Sequence, residues 1–119
     1  MNTLTYNQLL NKIDNFPVFE SRIDGPQMRE FVIPFDSIMP LHVIFQKFFG
    51  PDFKAPGENP TITDKKHSAL WGGIRQNQTL YYREYADYSN CAMLWPWEEG
   101  RLCTVKIIRH KKRSAAEKK

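Results

Sequence analysis

Two cysteines, three histidines and six glycines in 119 residues leave little material for several common small-domain devices. Two cysteines cannot build a disulfide framework or a cysteine-based zinc site. His42, His67 and His110 lie far apart, with no His-x-x-x-His or Cys-x-x-Cys pair. Asp64 and His67 are three residues apart and could share a helix face. Two ligands do not complete a site, so neither a metal nor a cofactor is expected. The glycines do not form a Gly-x-x-x-x-Gly-Lys phosphate loop. No apolar run is long enough to cross a bilayer, and the first twenty residues lack a basic start followed by an unbroken apolar stretch. The expectation is an intracellular, cytoplasmic protein without a membrane partner.

What the chain does have is core material. Hydrophobic residues make up 41%, aromatics 13% and charged residues 25%. That is an ordinary globular balance, and the length fits one domain. The net charge of +4 is unevenly spread. Residues 1–60 sum to −2, residues 61–105 to zero, and residues 106–119 to +6. A globular body over 1–109 is therefore expected to carry a basic, disordered tail over 110–119. The tail is the obvious footprint for a polyanion.

Local signals predict the elements. Thr5 and Gln8 have capping-box spacing, Leu4 and Leu9 the spacing of a hydrophobic staple, and Leu9, Leu10 and Ile13 form an apolar face. Pro17 ends this first helix, predicted over 5–14. Val18–Ile23 and Met28–Ile33 flank Asp24-Gly25-Pro26-Gln27 and read as a hairpin. A second helix, capped by Asp36 or Ser37, follows, with Leu41, Ile44, Phe45 and Phe48 on its apolar stripe and Gly50-Pro51 as its stop. Residues 51–60, with three prolines, read as a loop that is either a mobile flap or a crossover. Thr61–Trp71 could add a third helix, capped by Thr61 or Thr63. Thr79–Tyr85, Cys91–Trp97 and Arg101–Arg109 read as antiparallel strands. The fold class is thus α+β, with about five antiparallel strands covered on one face by two or three helices in the order α-β-β-α-(α)-β-β-β.

Two residue groups could carry function. Trp71-Gly72-Gly73-Ile74-Arg75 combines a stacking ring, free backbone N–H groups and a guanidinium fork. The plainer alternative is a helix end followed by a turn. Aromatic residues are also dense late in the chain. Tyr81, Arg83 and Tyr85 share one side of a strand, and Cys91, Met93, Trp95 and Trp97 share one side of the next. Exposed aromatics and arginines suit protein partners or single-stranded bases, although tyrosine often buries its ring and wets only its hydroxyl. Cys91 and Cys103 are expected to be inert buried thiols. A hairpin turning at 98–100 would set Cys91 nearer Lys106 than Cys103, which excludes a direct bridge.

The expectation is a small non-enzymatic module that binds another protein as a regulator or inhibitor, through Trp71, Arg75, Tyr81, Arg83, Tyr85, Trp95 and Trp97. The alternative is nucleic-acid binding through Lys106, Arg109, Lys111, Lys112 and Arg113, with the tyrosines stacking on bases. A small-ligand carrier or enzyme with its site under the 51–60 loop is a third possibility. The sequence leaves the oligomeric state open.

Overall fold

The computed structural model describes residues 4–111. Helix α1 spans Tyr6–Asp14, and the Thr5/Gln8 capping box closes in both directions, at 3.1 and 2.9 Å. Strands β1 (Glu20–Asp24) and β2 (Met28–Pro34) form the first hairpin. A 3₁₀ turn, Phe35–Ser37, leads into α2 (Ile38–Phe49). Helix α3 (Ile62–Ser68) runs on through a second 3₁₀ turn, Ala69–Trp71. Strands β3 (Thr79–Glu84), β4 (Tyr88–Pro96) and β5 (Leu102–Lys111) complete one antiparallel sheet, ordered β1-β2-β5-β4-β3. The fold is α+β with the expected order of elements.

The sheet has two buried faces, because neighbouring residues of a strand point to opposite sides. On the first face, Leu9, Leu10 and Ile13 of α1 and Leu41, Phe45, Phe48 and Phe49 of α2 meet Phe31, Ile33, Tyr81, Leu94, Val105 and Ile107. On the second, Leu80, Cys91, Met93 and Ile108 pack with Ile74, Trp71 and Trp95. Helices therefore flank both faces, not one as expected. The third helix crosses over because the 51–60 segment carries the chain past the β3 edge.

That segment is a pinned crossover. Lys54 pairs with Leu80 through an isolated bridge, and its own side chain is only 1% exposed. The ammonium donates to the carbonyls of Ala55, Gln76 and Gln78 at 2.9, 3.0 and 2.6 Å. Burial lowers its pKa, against the opposing attraction of Asp64 and other nearby carboxylates. Asp64 itself is buried and completes a second capping box with Thr61; Thr63 has no part in the cap.

Other boundaries move for local reasons. Neither Asp36 nor Ser37 caps α2 with its side chain, because the preceding 3₁₀ turn already sets the chain in helical geometry. Strand β4 starts three residues early, because Tyr85 N–H donates to the Tyr88 carbonyl at 2.8 Å and closes a tight turn. Cys91 lies opposite Ile108 and Cys103 opposite Pro96, so Cys91 is nearer Lys106 than Cys103, as expected. The two thiols are on opposite faces and both are free. Strand β5 continues to Lys111, where His110 and Lys111 pair with Ser89 and Tyr88. Residues 112–119, and with them most of the basic tail, lie outside the described residues.

Candidate functional site: a tryptophan face

The second face of the sheet is unevenly covered. Over β3 and β4, His67 of α3 stacks on Tyr82 at 3.7 Å and 14°, with Phe53 edge-on to both rings. Tyr82 donates to Glu84 at 2.9 Å, and burial, with that bond, pushes the phenol up to about 12. Burial also lowers the His67 pKa, with Glu84 opposing. His67, Tyr82 and Glu84 line a groove of about 240 Å³ that also includes Trp71, Ser89, Cys91 and His110.

Toward β5 and β2 the cover changes from helix to indole. Lys106 anchors this region: its ammonium donates to the Trp71 carbonyl at 2.8 Å, lies 4.1 Å from the Trp95 ring centre and approaches Glu30 to 3.8 Å. Glu30 in turn meets Arg22 at 3.6 Å, and the Arg22 guanidinium stands 5.8 Å from the Trp97 ring centre. Trp97 donates its indole N–H to the Thr104 hydroxyl at 2.8 Å. Trp71, Trp95 and Trp97 are all half-buried, so each presents part of its ring to solvent from a fixed position. The buried Trp95 indole N–H has no hydrogen-bond partner among the described residues. Lys106 faces the ring electrostatically, as a cation over an aromatic face does.

Gly72 lies directly under this arrangement. Its φ of +109° suits glycine, and a Cβ there would stand 2.5 Å from the Trp95 ring. The Gly72-Gly73 pair is therefore a tight helix exit and not a mobile cradle for an anion. Gly73 N–H is already donated to the Ser68 carbonyl at 2.9 Å. Arg75 is exposed on the following turn, away from any assembled site, with its backbone N–H bonded to the Gln78 side chain.

The seven expected partner residues therefore separate. Trp71, Trp95 and Trp97 come together. Tyr81 must be withdrawn from any contact surface: it is 0% exposed, packed among Phe45, Phe49 and His42, with its hydroxyl 2.7 Å from His42 Nδ1. Strand alternation placed Tyr81 correctly beside Arg83, but α2 covers that face. Arg83 is half-buried near the uncovered end of the same face, and Tyr85 stacks on Tyr88 at 4.8 Å.

The basic set also separates. Lys106 is engaged by Trp71, Trp95 and Glu30. Arg109 lies between the rings of Tyr6 and Tyr88, at 3.9 and 4.0 Å, and its Nε donates to Asn90 at 3.0 Å. Lys111 is exposed beside it, while Lys112 and Arg113 lie outside the described residues. Sequence reasoning missed Glu30 and Arg22, which complete the tryptophan face. Neither Arg22 on exposed β1 nor Glu30 on β2 carried a sequence signal of which ring it would meet.

Chemistry by nucleophile is disfavoured at both thiols. Burial pushes Cys91 and Cys103 up to about 12, leaving them protonated at neutral pH. Among the described residues, no group of three or more His, Cys, Asp or Glu side chains could hold a metal ion, and no helix is long and apolar enough to cross a membrane. No protein-family model, curated protein or solved structure matches the chain.

Proposed function

We propose that this protein is a small non-enzymatic, cytoplasmic module that engages another protein, as a regulator or inhibitor, through the tryptophan face. The observation that carries the reading is the fixed, half-exposed trio of Trp71, Trp95 and Trp97, bordered by Arg22, Glu30 and Lys106. Rigid indoles lose little conformational entropy on docking, and tryptophan and arginine dominate interface hot spots. Two free, buried thiols suit a reducing compartment.

The test is a photo-crosslinking residue introduced at exposed Glu98, next to Trp97 and off the β1 edge, in the native host. A discrete protein adduct should form there and be lost with Trp97→Ala, while a probe at exposed Glu58 on the crossover yields no such adduct. Identical adducts from both positions, unaffected by Trp97→Ala, would reject the reading.

One arrangement favours nucleic acid as a second reading. Tyr85, Tyr88, Arg109 and Lys111 meet at one end of the sheet, combining stacking rings with the start of the basic segment. Binding there should weaken steeply with salt and be reduced by Arg109→Ala but not by Trp97→Ala.

A further inference from the structure

The two edges of the sheet are finished differently. At β3 the outer edge is occupied: Phe53 and Lys54 N–H groups donate to the Leu80 carbonyl, and Leu80 N–H donates back to Lys54. At β1 all five residues are exposed, and among the described residues the strand pairs only with β2. Val18, Phe19 and Ile23 are apolar yet 43%, 63% and 41% exposed there. An open edge bearing apolar side chains is a template for another strand.

The sequence of this edge selects the strand. Phe19-Glu20-Ser21-Arg22-Ile23 is antisymmetric in charge and symmetric in apolarity about Ser21. An antiparallel copy centred on Ser21 sets Glu20 opposite the second copy's Arg22 and Phe19 opposite its Ile23, twice over by symmetry. A parallel, in-register copy would instead set Glu20 against Glu20 and Arg22 against Arg22. Like charges directly opposite destabilise a strand pair, whereas opposite charges and apolar pairs stabilise it. Glu20 and Arg22 already lie on the same side of β1, 3.2 Å apart, so both can face across the new pairing. The bulge between Ser21 and Ile23 limits the edge to a short pairing, which suits closure around one two-fold axis.

We infer that β1 is a self-association edge: a second copy of this chain pairs with it antiparallel about Ser21 and joins two sheets across a two-fold axis. This does not rest on the proposed tryptophan-face function, and Trp97→Ala leaves it intact.

The test is sedimentation equilibrium of the full chain over a wide concentration range, with charge reversals. The wild type should dimerise with concentration. Glu20→Arg and Arg22→Glu should each weaken the dimer by about tenfold, the effect of turning two cross-strand attractions into repulsions. Mixing these two variants should restore association as a heterodimer, and the double variant carrying both changes should restore the homodimer. Thermal melts of each variant check the fold, since Arg22 also meets Glu30. A monomer at every concentration, a dimer indifferent to both reversals, or a mixture that stays monomeric would each overturn the inference.

Discussion

Lys54→Met removes the charge that holds the crossover while keeping a side chain of similar length. The ammonium's three carbonyl bonds, at 2.6–3.0 Å, join Ala55 in the crossover to Gln76 and Gln78 before β3. A hydrogen bond from a charged donor contributes about 1.5–3 kcal/mol net. Three would exceed the cost of burying one ammonium, which is several kcal/mol and which the lowered pKa reports. Because methionine leaves the carbonyls without that donor, the expected loss is about 3 kcal/mol. For a domain of this size such a loss lowers Tm by about 10 °C. Circular-dichroism melts measure the total, and hydrogen exchange locates it. The amides of Gly57 and Leu80, bonded to Gln76 and Lys54, should exchange faster, while those of α1 keep their order of protection. A Tm equal to or above wild type would mean that desolvation outweighs the three bonds, and the reasoning would fail.

Phe45→Ala, in the centre of the α2 core at 0% exposure, should cost about 3–5 kcal/mol; a denaturant titration with an unchanged midpoint would contradict the assigned core. Gly72→Ala should destabilise the fold and alter tryptophan fluorescence, because both the positive φ and the 2.5 Å approach to Trp95 resist a Cβ; an unchanged spectrum and melt would exclude that contact. Burial lowers the His42 and His67 pKa values below the ordinary 6.5. The unfolded chain therefore takes up those protons first, and stability should decline as pH falls through 6.5 and level off below the folded values; a His42→Gln/His67→Gln double variant with an equally steep decline would refute that source. Native protein should resist a thiol reagent at neutral pH and react fully only after unfolding, since both thiols are buried; rapid labelling of either would contradict the packing.

Local chemistry in the sequence determined the elements. The Thr5/Gln8 box, the α2 stripe of Leu41, Phe45 and Phe48, the Gly50 stop and the alternation of Cys103, Val105 and Ile107 each depend on neighbours within a few residues. Such signals survive without knowledge of the fold. The same alternation correctly divided Tyr81 from Tyr82 and grouped Cys91, Met93 and Trp95. Which side met helix and which met solvent was a different matter. Tyr81 is buried because α2 lies on its face, and Trp95 and Trp97 stay half-open because α3 covers only the other end of theirs. That choice depends on the crossover pinned by Lys54, a residue that looks like surface in sequence, and on β5 docking between β2 and β4. Only this tertiary pairing brings Arg22, Glu30 and Lys106, far apart along the chain, beside the indoles: the strand period fixes the face on which a side chain stands, but the sheet order fixes its company.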